Sequence, residues 1–143
     1  MARRVRRGHR VAMSSGAEAV QPAVVGQVCV LIVDDDQQFG RFAAELLTDR
    51  GYLVVGHATS AGEALAECKR LDPDAVLLDV RLPDGSGVTL ASTLRATERP
   101  PAILLTSADR DALRPEQLEQ SGASGFVPKT QLARRDLTPF LQR

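Results

Sequence analysis

The sequence predicts a doubly wound α/β fold, in which helices cover both faces of a parallel sheet. Short runs of consecutive apolar residues, such as 28–33 and 75–78, are typical of strands that are buried on both sides. Between these runs lie segments whose apolar residues recur every three or four positions, which indicates amphipathic helices. The links are short, and right-handed crossovers between successive strands then place helices on both faces of the sheet.

The first strand–helix unit has the clearest boundaries. Residues 28–33 are all apolar and mostly β-branched, and this predicted strand ends at three consecutive acids, 34–36. The helix that follows has apolar residues three and four positions apart, with charged residues between them. These apolar residues are Phe39, Phe42, Ala43, Leu46 and Leu47. Asp36 is free to cap the start of this helix, and Gly51 ends it.

Four further units follow the same pattern. Their strands are predicted at residues 52–56, 75–78, 103–105 and 125–127. Their helices are predicted from a capping box at Ser60 and Glu63, through Leu90 and Leu94, from Pro115 to Gly122, and over a last segment containing Leu132, Leu137, Phe140 and Leu141. Pro139 must shorten or kink that last segment, because proline has no N–H to donate inside a helix.

The composition describes one soluble globular domain. The chain has 143 residues, of which 18 are basic, 18 are acidic and 43% are hydrophobic. No apolar run approaches the ~20 residues of a transmembrane helix, and no signal-peptide core follows the Arg-rich start. Cys29 and Cys68 are too few for a disulfide framework and lie in no cluster with metal-ligand spacing. We therefore expect a cytoplasmic protein with two ordinary buried thiols.

Charge is distributed unevenly along the chain. Residues 1–27 contain five Arg and one Glu, whereas residues 28–143 contain 13 basic and 17 acidic residues. Because the first segment has no sustained hydrophobic period, we predict a disordered basic arm at 1–27 and one domain at 28–143. Such an arm can contact nucleic acid or anionic lipid, although a solvated tail is the simpler interpretation.

Polar residues follow four strands of the predicted sheet. Asp34 and Asp35 follow the first strand, Asp79 ends the third, Thr106 ends the fourth, and Lys129 comes directly after the fifth. Ligands of doubly wound sheets bind at this edge, where the winding reverses. Three converging carboxylates repel one another unless a cation lies among them, and hard oxygen ligands in an open site favour Mg²⁺. Such an ion shares its coordination with phosphate, so we expect a phosphoryl group to bind beside a carboxylate.

Four sequence segments resemble the receiver domain of two-component response regulators. They are VLIVDDD at 30–36, VLLDVRLPDGSG at 76–87, LLTSA at 104–108 and GASGFVPK at 122–129. They occur in chain order on successive predicted strands, and the resemblance covers the chain from 28 to about 141. It implies a CheY-like architecture, with a five-stranded parallel sheet in the strand order 2-1-3-4-5.

The resemblance also implies a role for each acid. Asp79 would be the phosphoacceptor, attacking a phosphohistidine or a small acyl phosphate, and water would later hydrolyse the acyl phosphate that forms. Asp34 and Asp35 would hold Mg²⁺ directly or through water, together with Asp79 and the backbone carbonyl of Arg81. In this view the chain catalyses its own phosphorylation and dephosphorylation and is a signalling domain, not an enzyme acting on other substrates.

Three further residues have roles implied by the same resemblance. Thr106 would turn its hydroxyl toward the new phosphoryl group, and Lys129 would pair with its oxygens. Phe126 matches the aromatic residue that swings inward when the threonine moves, which makes Thr106 and Phe126 the predicted switch. The chain departs from many receivers at Thr130, where they have proline after a cis peptide bond, so a cis bond is not expected here.

The implied partners are a sensor histidine kinase or phosphotransfer protein, a downstream effector that the sequence does not identify, and a second copy of the chain. We expect neither a membrane nor nucleic acid as a partner. No output domain follows the receiver, so we expect a stand-alone receiver or a fragment of a longer regulator. The alternatives are a DNA-binding regulator acting through the basic arm or a missing output domain, and a phosphohydrolase, which is disfavoured because no second acid follows Asp79 closely.

Overall fold

The computed structural model describes residues 26–143, so the predicted basic arm lies outside the described residues except for its last two positions. The strands of the main sheet are β1 (Cys29–Val33), β2 (Leu53–Ala58), β3 (Ala75–Asp79), β6 (Ala102–Thr106) and β7 (Gly125–Phe126), and a short hairpin is formed by β4 (Arg81–Leu82) and β5 (Gly85–Ser86). The helices are α1 (Gln37–Asp49), α2 (Ala61–Leu71), α3 (Gly87–Arg95) and α4 (Pro115–Ser121).

The main sheet confirms the predicted fold class. Its strands lie in the order β2-β1-β3-β6-β7, and every neighbouring pair is parallel. Counting only the strands of this sheet, the order is 2-1-3-4-5. The winding reverses between β1 and β3, so their carboxyl ends lie side by side with the helices turning away to opposite faces.

Each apolar strand supplies both faces of the core, because successive side chains of a strand point to opposite sides. On one face, residues such as Val30, Ile32 and Leu104 pack with α1 and the C-terminal segment. On the other face, residues such as Leu31 and Ile103 pack with α2, α3 and α4. Both layers depend on uninterrupted apolar runs, which is why the strands do not alternate between apolar and polar residues.

The helix caps follow the predicted chemistry with one difference. The Asp36 side chain accepts hydrogen bonds from two backbone N–H groups at the start of α1, as expected for a cap. At α2, the Ser60 hydroxyl accepts from the Glu63 N–H, but the Glu63 carboxylate accepts from Thr59, one residue before the cap, at 2.6 Å. The predicted capping box is therefore displaced by one residue on its carboxylate side.

The last predicted helical segment is not an α-helix. It consists of two 3-10 turns, Lys129–Arg134 and Thr138–Phe140, so the shortening expected from Pro139 is confirmed. Its apolar residues Leu132, Leu137 and Leu141 are nevertheless buried against the sheet. The Arg50 guanidinium donates to the carbonyls of Ala133 and Arg135 at 2.6 and 2.5 Å, which ties this segment to the end of α1.

Two smaller expectations have mixed outcomes. Both cysteines are free, and Cys29 is buried, but Cys68 is only partly buried, which corrects the expectation of two buried thiols. Burial raises the pKa of the Cys68 thiol to about 12.

Residues 26–143 contain no cis peptide bond, in line with the departure at Thr130. No helix in this described part of the chain has the length and apolarity needed to cross a bilayer.

Candidate phosphoryl-transfer site

Three carboxylates meet at the carboxyl edge of the sheet. Val33 pairs with Leu78 across β1 and β3, so the residues that follow them, Asp34 and Asp79, are neighbours. One carboxylate oxygen from each of Asp34, Asp35 and Asp79 lies within 4.8 Å of the other two. Asp34 and Asp79 are buried, whereas Asp35 is exposed. The cluster is thus closed on the protein side and open to solvent on the other.

Lys129 supplies the positive charge for this cluster. Its Nζ lies 2.7 Å from Asp34 Oδ2 and 3.6 Å from Asp79 Oδ2, and the backbone N–H of the same residue donates to the Ser107 carbonyl at 2.9 Å. The ammonium also lies over the Phe39 ring, 4.2 Å from its centroid. An ion pair on one side and an aromatic face on another hold the side chain in place beside Asp79.

Burial raises the pKa of the Asp79 carboxyl from its ordinary value of 3.8 to about 6. The Arg81 N–H, which donates to Asp79 Oδ1 at 3.2 Å, opposes this rise. The charge of Asp34 adds to the rise, and the charge of Lys129 opposes it. Asp79 is therefore mostly ionised at neutral pH although burial disfavours its charge, which makes the carboxylate a candidate nucleophile.

The pKa of Lys129 is raised, although burial alone would lower it. Burial favours the neutral amine, but the hydrogen bond that the ammonium donates to Asp34 and the charges of Asp79 and Asp34 outweigh it and raise the pKa above its ordinary value of 10.5. The side chain therefore stays protonated throughout the neutral range. A permanent ammonium beside Asp79 can neutralise negative charge that arrives with a phosphoryl group.

The two predicted switch residues lie on the neighbouring strands. Thr106 pairs with Asp79 across β3 and β6 and is fully buried, and its hydroxyl donates to the Val127 carbonyl at 2.6 Å. Phe126 lies on β7 opposite Leu105 and packs, partly buried, against the core face that α3 and α4 cover. The structure thus brings Thr106 next to Asp79, with its hydroxyl directed to Val127, the residue after β7, and not to the carboxylate.

The hairpin after β3 is fastened to two neighbouring segments. The Arg81 guanidinium contacts Asp109 on the next loop at 3.3 Å, and both side chains are exposed. The Asp84 carboxylate accepts from the Ala61 and Gly62 N–H groups at 2.7 and 3.0 Å and so fastens the hairpin to the start of α2. These two backbone hydrogen bonds lower the pKa of Asp84. The backbone carbonyl of Arg81 stays a predicted metal ligand.

Sequence reasoning missed one contact of the site. His57, on the edge strand β2, belongs to none of the sequence motifs, but its Nε2 lies 2.7 Å from the backbone carbonyl oxygen of Asp34. No local sequence motif predicts this contact, since the two residues are far apart in the chain and meet only through strand pairing.

A groove of about 810 Å³ lies between α2 and α3 and is lined partly by Leu65 and Pro101. It contains none of the predicted site residues.

Known proteins resemble the chain in both sequence and fold. The family model for the response regulator receiver domain matches residues 30–141. The transcriptional regulatory protein KdpE of Mycobacterium tuberculosis is 40% identical over 100 residues, which cover 70% of this chain and 43% of that protein. PdtaR of the same organism is 31% identical over 114 residues, covering 79% of this chain and 54% of that protein. The chain therefore spans only about half the length of these relatives.

Two solved structures show how far the likeness extends in space. A CheY-like receiver domain from Methylobacillus flagellatus superposes with a TM-score of 0.66 at 28% identity, covering 79% of this chain and 92% of that one. The BeF3-activated N-terminal receiver domain of Klebsiella pneumoniae RstA superposes with a TM-score of 0.63 at 33% identity, covering 71% and 86%. Together with the matched family model, these likenesses show that the chain belongs to the response regulator receiver domain family, the signalling switches of two-component systems.

Proposed function

We propose that this receiver accepts a phosphoryl group on Asp79 and passes the signal on by a change of conformation. The observation that carries the proposal is the contact set of Asp79, a buried carboxylate with a raised pKa that faces the Lys129 ammonium and two further acids. A structural carboxylate would be expected to lie where its charge is stabilised. Asp79 instead lies beside two further acids, where a bound cation would stabilise its charge.

The donor set fits a bound Mg²⁺ ion. Asp34, Asp35 and Asp79 offer hard oxygen atoms within 4.8 Å of one another, and the exposure of Asp35 leaves room for the waters that Mg²⁺ retains. We propose that these residues hold the ion, with the Arg81 carbonyl as a further ligand. When bound, the ion would offset the negative charge of the transferring phosphoryl group.

The side chains of the protein would carry the remaining steps. An oxygen of Asp79 attacks phosphorus in line, so that an O–P bond forms while the P–N bond of a phosphohistidine, or the P–O bond of an acyl phosphate, breaks and its electron pair leaves with the imidazole or carboxylate. Lys129 remains protonated and pairs with a phosphoryl oxygen. Water later cleaves the acyl phosphate, which restores the Asp79 carboxylate and releases phosphate.

The signal would leave the site through Thr106. In the unphosphorylated site its hydroxyl donates to the Val127 carbonyl, so a phosphoryl oxygen on Asp79 would compete for the same proton. If the hydroxyl turns to the phosphoryl group, the contact between Thr106 and Val127, the residue after β7, is lost, and the partly buried Phe126 can move inward. This is a shift between two packings of one fold.

Partners follow from this chemistry. We propose that a sensor histidine kinase or a phosphotransfer protein donates the phosphoryl group, and that an effector protein or a second copy of the chain recognises the phosphorylated form. KdpE and PdtaR are transcriptional regulators by name, and this chain matches only part of each. A DNA-binding role through the basic arm remains the alternative, and it rests on residues outside the described range.

Phosphorylation by acetyl phosphate tests the proposal. The purified chain is incubated with acetyl phosphate and Mg²⁺, and its intact mass is measured by mass spectrometry. We expect one added phosphoryl group in the wild type and none in Asp79→Asn or in EDTA. The matched control is Asp109→Asn, an exposed acid near the site that should be phosphorylated normally. A wild type that gains no phosphoryl group, or an Asp79→Asn variant that gains one, would refute the proposal.

A further inference from the structure

The backbone of Asp34 is held from β2 through both of its polar groups. The Asp34 N–H donates to the Ala58 carbonyl at 2.9 Å, and the Asp34 carbonyl oxygen lies 2.7 Å from His57 Nε2. A carbonyl oxygen can only accept, so Nε2 carries the proton and donates it. The last two residues of β2 therefore hold the backbone on both sides of the Asp34 Cα, Ala58 through the preceding peptide and His57 through the peptide that leads to Asp35.

Gly40 provides the space that this hydrogen bond requires. A Cβ atom at Gly40 would lie 2.2 Å from Cε1 and 2.6 Å from Nδ1 of His57, so the imidazole occupies the volume of the missing side chain. Gly40 is buried in α1, although glycine is among the least favourable residues inside a helix. The ring could avoid an added methyl group only by moving, and movement would break its bond to Asp34.

We propose that His57 is a positioning residue for the divalent cation site, and that Gly40 exists at its position to admit the imidazole ring. The hydrogen bond to the Asp34 carbonyl fixes the orientation of the Asp34–Asp35 peptide plane. That plane sets the direction in which the exposed Asp35 side chain leaves the backbone, whereas Asp34 is independently held by Lys129. The inference rests on the proposed cation site. It adds His57 and Gly40, which are not ligands themselves, as residues that support the site.

The role is distinct from ligation and from packing alone. Among the described residues, the group that offers clustered ligand atoms consists of three aspartates and does not include His57. A residue that only packs would change the stability of the fold without changing the affinity of the folded protein for a cation. Partners that orient metal ligands change that affinity directly, roughly 10-fold to 100-fold when they are removed.

Binding of Mn²⁺ in place of Mg²⁺ tests this without any phosphorylation. Free Mn²⁺ is measured by electron paramagnetic resonance during titration of the wild type, His57→Leu, His57→Gln and Asp35→Asn, and urea unfolding of each variant is measured in parallel. We expect His57→Leu to bind roughly 10-fold or more weakly. His57→Gln should retain most of the affinity, because its side-chain amide N–H can donate to the same carbonyl.

A double variant isolates the part played by Gly40. Gly40→Ala should weaken Mn²⁺ binding when His57 is present and have no further effect in a His57→Ala background, where the ring is absent. Equal Mn²⁺ affinity in the wild type and His57→Leu, with only the urea midpoint lowered, would overturn the inference and leave His57 as a packing residue. If the wild type and Asp35→Asn both fail to bind Mn²⁺, the proposed cation site itself is overturned, and this inference with it.

Discussion

Replacing Asp79 by Asn should make the protein more stable at neutral pH, although it removes the proposed phosphoacceptor. Folding raises the pKa of this carboxyl from 3.8 to about 6. Each unit of such a shift corresponds to about 1.4 kcal/mol, so the buried carboxylate destabilises the fold by about 3 kcal/mol at neutral pH. Asn has no charge to desolvate, and the shift to about 6 already includes the attraction to Lys129 at 3.6 Å, so we expect a net gain of up to about 3 kcal/mol.

The pH dependence gives this prediction a definite sign. A carboxyl whose folded pKa is raised contributes stability below its unfolded value of 3.8, and that contribution is lost as the pH rises through about 6. Lowering the pH from neutral should therefore stabilise the wild type relative to Asp79→Asn. The difference between the two proteins should shrink near pH 6 and close at about pH 4.

Urea unfolding, followed by far-ultraviolet circular dichroism in EDTA across this pH range, measures the difference directly. Asp74→Asn is the matched control, because Asp74 is also buried but its carboxylate accepts the Cys29 N–H at 2.8 Å and faces Arg143 at 3.8 Å. That change should destabilise the fold. The reasoning would be refuted if Asp79→Asn were no more stable than the wild type at neutral pH, or if its advantage did not change with pH.

Two further substitutions test the packing around the site. A Cβ at Gly87 would lie 2.2 Å from the Asp79 backbone carbonyl oxygen, and because neither backbone can yield easily, Gly87→Ala should lower the free energy of unfolding by about 1–3 kcal/mol in urea titrations. An unchanged urea midpoint would contradict this. Thr106→Val removes the donor to the Val127 carbonyl and should cost roughly 1–3 kcal/mol. In this variant, the signal of a fluorinated probe placed near Phe126 should no longer change when acetyl phosphate is added. A signal that still changes as it does in the wild type would argue against Thr106 as the switch.

The convergence of the polar residues could be predicted because it follows from chain order and strand direction. Apolar runs mark the strands, short links make them parallel, and parallel strands end at the same edge of the sheet. Asp34, Asp79 and Lys129 each follow or end such a run, and the structure brings them within ion-pair distance. No side-chain geometry is needed for that step, since the backbone topology alone carries these residues to one place.

The C-terminal segment shows where local signals become insufficient. The spacing of Leu132, Leu137 and Leu141 indicated a helical segment, and Pro139 indicated that it would be interrupted. The choice of two 3-10 turns over a kinked α-helix depends on how three leucines reach the sheet and on the contacts of Arg50 with this segment. Those contacts are long-range, so no pattern within the segment encodes them.

The sequence by itself determined the parallel sheet and the set of residues at its carboxyl edge, because hydrophobic periodicity and the handedness of crossovers are properties of the chain. The strand order was implied by the resemblance of four sequence segments to receiver domains. Only the tertiary structure decided that His57 reaches the Asp34 carbonyl across a space left by Gly40, and that the Thr106 hydroxyl is directed to Val127. Such choices depend on side-chain rotamers selected by close packing among residues distant in sequence. The rise in the pKa of Asp79 has the same origin, because burial exists only once the layers have closed over the sheet.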